Sequence, residues 1–169
     1  GNIAPIFPQQ SIREMTRTGR SAQQVMDDAI WGVFVEGWRD GFGADADHLK
    51  TPADIDTCIA AGFTFFTIDP GEYVDDRAES VDPAELRQLF EALPWAELED
   101  TPEEALRRYD NLSLQIEDYT IGLDGSAALR AAVKYGRAVA HVAKMYRHLQ
   151  DVSGDRPTEL EVSVDETAH

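Results

Sequence analysis

The sequence predicts an α/β fold in which parallel strands alternate with helices. Three observations carry that prediction. Helix starts recur along the chain as an oxygen-bearing cap residue followed by proline or, three positions on, by an acid or amide. Short aromatic, β-branched or alternating runs fall between them. Helices separate the strands, and strands so separated pair in parallel through right-handed crossovers.

Residues 1–20 are read as an N-terminal extension, which leaves the domain over 21–169. Ser21-Ala22-Gln23-Gln24 is a capping box: the hydroxyl serves a free backbone N–H while Gln24 reaches back. Val25, Ala29, Ile30, Val33, Phe34 and Trp38 then follow a helical stripe that ends near Gly37 to Gly41. GFGADAD, residues 41–47, reads as the first strand. Thr51-Pro52-Ala53-Asp54, Asp82-Pro83-Ala84-Glu85 and Thr101-Pro102-Glu103-Glu104 repeat one device. A cap oxygen, a proline whose missing N–H costs nothing at the first helical position, and an acid near the positive helix end open each helix. The second strand is Phe63 to Ile68, bounded by Gly62 and Asp69-Pro70-Gly71. A helical insertion is expected at about 82–125, followed by a long helix from Ser126 to about Gln150. Glu159 to Asp165 alternates acid or hydroxyl with aliphatic, the period of a third strand.

Composition narrows the partners. A formal net charge of −17 argues against nucleic acid, whose phosphates attract basic surfaces, and against anionic membranes. No apolar run reaches the roughly 18 residues a membrane span needs. GNIAPIFPQQ lacks the charged and apolar regions of a secretory signal. The single cysteine, Cys58, fits a reducing compartment, so a cytoplasmic location is expected. Asn111-Leu112-Ser113 matches a glycosylation sequon and, without an export signal, reads as chance.

In parallel α/β folds, ligand-binding groups sit just past the carboxyl ends of the strands. Those positions hold Asp45, Asp47 and His48 after the first strand, then Asp69, Glu72 and Tyr73 after the second. Asp165, Glu166 and His169 follow the third. Acids at every strand exit favour a site over a solvated acidic loop, although Asp69-Pro70-Gly71 is also a plain turn signature. Arg130, Lys134, Arg137, His141, Lys144 and His148 form one basic stripe on the long helix, read as a face that pairs with the acidic stretch 97–104.

GFGADADHLKT (41–51), FTFFTIDPGEYVDD (63–76), HVAKMYRHLQ (141–150) and ELEVSVDET (159–167), taken in order, resemble the tagaturonate epimerase family of bacterial hexuronate breakdown. The resemblance implies part of a TIM-barrel-like (β/α) architecture and interconversion of tagaturonate and fructuronate. It also implies a divalent metal ion such as Zn²⁺, Mn²⁺ or Mg²⁺, whose oxygen and imidazole ligands would be Asp47, His48 and Asp69. The inverted carbon lies two bonds from the ketone, so direct enolisation does not reach it. Retro-aldol cleavage and re-addition is one route. Transient oxidation is another, without a G-x-G-x-x-G to carry a nicotinamide. On the retro-aldol route Asp165 or Glu166 moves the hydroxyl proton, while Lys50, Arg77 and Tyr73 bind substrate, Lys50 or Arg77 meeting its carboxylate. Family members are longer, and three strands cannot close an eight-stranded barrel. Expected partners are therefore a sugar-acid substrate and either further copies of the chain or a complementing C-terminal half. The rival readings are a non-catalytic α/β module acting by association, and a metal-dependent isomerase or aldolase for another keto-sugar acid.

Overall fold

The computed structural model describes residues 3–109 and 112–164. In chain order its elements are β1 (Ile6–Ser11), α1 (Ile12–Thr18), α2 (Ala22–Glu36), β2 (Gly43–Leu49), α3 (Pro52–Ala61) and β3 (Phe65–Ile68). Two short 3-10 turns, Gly71–Tyr73 and Asp76–Glu79, lead to α4 (Pro83–Glu91), α5 (Pro102–Tyr109), β4 (Leu112–Ile116), β5 (Tyr119–Leu123), α6 (Gly125–Ser153) and β6 (Glu159–Val162). The chain divides into two compact units, one ending at Asp69 and resuming at Lys144, the other running from Pro70 to Ala143. No helix among the described residues is long and apolar enough to cross a membrane.

The first unit is built on a sheet of order β1-β2-β3-β6 in which every neighbouring pair is parallel. The α/β expectation with parallel strands is met. Among the described residues the sheet stays open, because β1 and β6 each have one neighbour. Helix caps form as the sequence predicts except at α6, where Asp124 and not Ser126 is the cap, accepting from the Ser126 and Ala127 N–H groups. Ser21 and Gln24 close a full capping box, Thr51 and Asp54 close another, and Gly37 and Gly62 end their helices with φ of 66° and 94°, a region that glycine enters without steric cost. The buried face of the sheet carries Ala44, Ala46, Leu49, Phe66 and Ile68; Ile55, Cys58, Met145 and Leu149 from α3 and α6 are also buried in this unit. Burial pushes the Cys58 thiol up to about 12, so it stays an inert core group.

One expectation needs correction here. Residues 1–20 are not a detached extension: Ile6–Ser11 is the outer strand of the sheet, and Ser11 caps α1 by accepting from the Glu14 N–H. Pro8, which obscured the strand pattern, is tolerated because an edge strand leaves one row of N–H groups unpaired. The apolar stripe of α2 is buried only at its start: Ala22, Val25 and Met26 are buried, whereas Ile30 and Phe34, and Trp38 beyond the Gly37 cap, are exposed.

In the second unit, Ala78, Leu86, Phe90, Leu93, Ala105 and Val133 form the core. Trp95 packs edge-on against Phe90, their ring centres 4.9 Å apart, and donates its indole N–H to the Phe90 carbonyl at 3.0 Å. Gly136 lets α6 approach Leu93, since a Cβ there would stand 2.9 Å from Leu93 Cδ1. The span at about 82–125 is not wholly helical. It holds α4 and α5, then an antiparallel hairpin of β4 and β5 whose facing pairs are Leu112 with Leu123, Leu114 with Ile121 and Ile116 with Tyr119. The period of two places those six apolar side chains on one face.

The basic stripe of α6 finds partners outside the stretch 97–104. In the second unit Lys134 Nζ lies 2.9 Å from Glu79, Arg137 lies 3.7 Å from Asp75, and Arg130 donates to the Ala78 carbonyl. In the first unit His148 meets Asp56 at 2.7 Å. Arg108 of α5 takes Asp100 instead, at 2.9 Å.

Candidate functional site

The site lies in the first unit, at the carboxyl ends of β2 and β3 and along β6. Ala44 and Ala46 of β2 point into the core, so the pleat turns Asp45 and Asp47 to the opposite face. The alternation then breaks. The register between β2 and β3 shifts between Ala46 and Leu49, and His48 has φ of 51°. This left-handed residue lets Leu49 return to the core while keeping the His48 imidazole beside Asp47, which an unbroken strand would not do. Strained backbone of this kind clusters at functional sites.

The imidazole sits between two acids. His48 Nε2 is 3.5 Å from Asp47 Oδ1, and Nδ1 is 3.7 Å from Asp69 Oδ2. Lys50 Nζ stands 3.6 Å from the same Asp69 oxygen, with its side chain nearly half exposed. Gln9 of β1 donates to Asp47 Oδ2 at 3.0 Å. Thr67, fully buried on β3, joins two further carboxylates: its Oγ1 is 2.8 Å from Glu161 Oε2 and 3.2 Å from Asp45 Oδ1. A hydroxyl has one proton to give, so the two acids share it. Burial, reinforced by the charges of Asp47 and Glu161, pushes the Asp45 carboxyl above its usual range, against the pull of the Thr67 hydrogen bond and of His48.

Of the residues singled out from the sequence, Asp47, His48, Lys50 and Asp69 are thus brought together. Asp165 and Glu166 lie outside the described residues. Tyr73 and Arg77 belong to the second unit. There Tyr73 stacks on His141 with ring centres 4.1 Å apart. The Arg77 guanidinium is held by Asp75 through bonds of 2.8 and 2.6 Å, which keep the Asp75 carboxyl below its ordinary range. Thr67 and Gln9 are additions that the strand-exit rule does not reach. A hydroxyl inside the apolar run Phe65-Phe66-Thr67-Ile68 was the available signal for Thr67.

Asp47, His48 and Asp69 offer the donor types that a divalent ion takes, yet as placed they do not converge on one point. The carboxylates face opposite ring nitrogens, and an ion binds only one of these. Among the described residues no group of three His, Cys, Asp or Glu side chains is arranged to hold a metal.

Three comparisons place the chain. The family model for UxaE, tagaturonate epimerase, matches residues 1–169. A "Tagaturonate/fructuronate epimerase" of Thermotoga maritima is 43% identical over 165 residues, covering 98% of this chain and 32% of the relative. Crystal structures of the fructuronate-tagaturonate epimerase UxaE from Cohnella laeviribosi, native and with one glycerol, superpose with a TM-score of 0.85 at 34% identity. They cover 99% of this chain and 33% of theirs. The chain therefore spans about a third of the length of the relatives it matches. With the whole chain covered by the family model and the parallel strands carrying acids at their exits, this chain belongs to the tagaturonate epimerase family.

Proposed function

We propose that this chain supplies one wall of the active site of an enzyme that interconverts tagaturonate and fructuronate, its four parallel strands forming part of a (β/α) barrel. The observation that carries the reading is the cluster of Asp45, Asp47, His48, Lys50, Asp69, Thr67 and Glu161 at and beside the strand ends, in a chain whose matched relatives are named for that reaction.

Inversion two bonds from a ketone proceeds most simply by retro-aldol chemistry. A base takes the proton of the hydroxyl on the inverted carbon, and the bond between that carbon and its neighbour toward the ketone breaks. An aldehyde and an enediolate result. The aldehyde turns its other face, the bond re-forms, and the proton returns, so atoms balance with no external oxidant. In this proposal Asp165 or Glu166 moves the proton. Lys50, beside Asp69 at the strand end, meets the substrate carboxylate in this reading, whereas Arg77 is engaged bidentately by Asp75 in the second unit. His48, fixed between Asp47 and Asp69, is placed to hydrogen-bond a substrate hydroxyl. These steps use the chain's own side chains; abolition of activity by chelation in the complete gene product would add a metal whose donors are not these three as arranged here.

The test is Lys50→Met in the complete gene product. A charged hydrogen bond is worth about 1.5–3 kcal/mol, which converts to a KM raised about tenfold to a hundredfold. An unchanged KM for tagaturonate removes Lys50 from the site.

A further inference from the structure

Inversion by cleavage and re-addition needs two proton carriers. The hydroxyls of the two epimers leave the inverted carbon on opposite sides. When the aldehyde turns its other face, its oxygen and hydrogen exchange places, so the oxygen moves away from the base that took the first proton. A proton-transfer group works only within hydrogen-bond reach, about 2.6–3.2 Å. One carboxyl held in place therefore cannot serve both epimers, and a second must stand on the other side. The described carboxylates of the site differ in what already occupies them. Asp69 Oδ2 faces Lys50 at 3.6 Å and His48 at 3.7 Å. Asp47 accepts from Gln9 with one oxygen and faces His48 with the other. Asp45 is partly buried. Glu161 is exposed on β6. Among the described residues no cation pairs with it, and its bond comes from a neutral donor, the Thr67 hydroxyl, at 2.8 Å from Oε2. Thr67 is itself buried and stands opposite Glu161 in the β3–β6 register. The buried hydroxyl thus pins one carboxylate oxygen to the sheet face and leaves Oε1 to accept a proton.

We propose that Glu161 is the second proton carrier of the epimerisation, serving the hydroxyl of one epimer while Asp165 or Glu166 serves that of the other. This rests on the reading that the strand ends carry out retro-aldol inversion. At the start Glu161 is ionised and the other carboxyl holds a proton. Glu161 Oε1 takes the hydroxyl proton, the O–H electron pair becomes the second bond of the aldehyde, and the broken carbon–carbon pair stays on the enediolate. After the aldehyde turns, that pair re-forms the bond, and the new alkoxide takes the proton of the other carboxyl. Glu161 ends protonated and its counterpart ionised. Exchange of one proton with water at each resets the site, and conversion of the other epimer resets it by running the same steps backwards. Thr67 is a positioning residue here, since its hydroxyl holds Glu161 without neutralising it.

The experiment measures kcat and KM in both directions for the complete gene product and for Glu161→Gln, Glu161→Ala and Glu159→Gln. General acid–base catalysis contributes about 10²–10⁴-fold, so Glu161→Gln is expected to lower kcat at least about a hundredfold in both directions, with KM within about threefold. Added formate, a carboxylate free to enter the gap, is expected to restore the rate of Glu161→Ala at least about tenfold, which a merely structural loss would not allow. Glu159→Gln is expected to keep the wild-type rate: Glu159 is exposed and lies two residues earlier on the same face of β6. A kcat for Glu161→Gln within about threefold of wild type would overturn the proposal. So would a Glu161→Ala rate indifferent to formate, or an equal loss in Glu159→Gln. A wild type inactive on both uronates instead sinks the proposed function, and the role of Glu161 with it; an active wild type matched by Glu161→Gln sinks the role alone.

Discussion

Replacing Thr67 by valine tests the architecture of the site without needing substrate. The hydroxyl is buried, and it is the shared donor between Glu161, at 2.8 Å, and Asp45, at 3.2 Å. Valine keeps the shape and removes the donor. One hydrogen bond to a charged acceptor contributes about 1.5–3 kcal/mol, and a single proton serves both acids, so the loss is about 2 kcal/mol rather than twice that. In a chain of this size each kcal/mol moves the midpoint by about 2–4 °C, which gives a drop of roughly 4–8 °C. The assay is thermal unfolding by circular dichroism at neutral pH, with Thr67→Ser as the variant that keeps the hydroxyl. Serine should hold most of the stability, and a double-mutant cycle with Glu161→Gln should show coupling of at least about 0.5 kcal/mol. A valine variant as stable as the wild type would refute the reasoning, because the carboxylates would then not depend on Thr67.

Further predictions follow from the same geometry. The Asp45 carboxyl is raised from 3.8 in the folded chain, so the folded state holds its proton to higher pH than the unfolded state does. Its contribution to stability is thus fully present below the ordinary value and lost as pH rises through the folded one. Asp45→Asn should therefore be more stable than wild type at pH 7, with the gap closing as pH falls toward 3.8; parallel unfolding profiles across that range would contradict it. Gly136→Val should destabilise the second unit by about 1–3 kcal/mol through overpacking against Leu93. Measured by denaturant unfolding, Gly136→Val with Leu93→Ala should lose less than the sum of the single changes.

How much of this was legible in the sequence varied with the physics of each element. Helix starts were read to within a residue because caps are local: Thr51, Asp82 and Thr101 need only their own next three residues. β3 was visible because it is buried on both sides and so is apolar throughout apart from one hydroxyl. β1 escaped notice because its Pro8 and Gln9-Gln10 suit an edge strand, where neither alternation nor β-propensity is demanded. The β4–β5 hairpin does alternate, but the helix signals on both sides of it drew the whole span toward a helical reading. The strand-exit rule found Asp47, His48 and Asp69. It could not foresee that a left-handed His48 would set the imidazole between the two carboxylates, facing each with a different nitrogen. That depends on a register shift between two strands, which the residues of one strand do not encode. The exposed half of α2 shows the limit from the other side: an apolar stripe says that a helix face is to be covered, not by what.

We propose above that these strand ends belong to an enzyme interconverting tagaturonate and fructuronate. The most direct measurement is ¹³C NMR of the purified complete gene product incubated with each uronate in turn, with the Thermotoga maritima enzyme run alongside. Either starting sugar should yield the same final mixture, and Asp69→Asn should slow the approach to it. Conversion by the Thermotoga maritima enzyme with none by this one would contradict it.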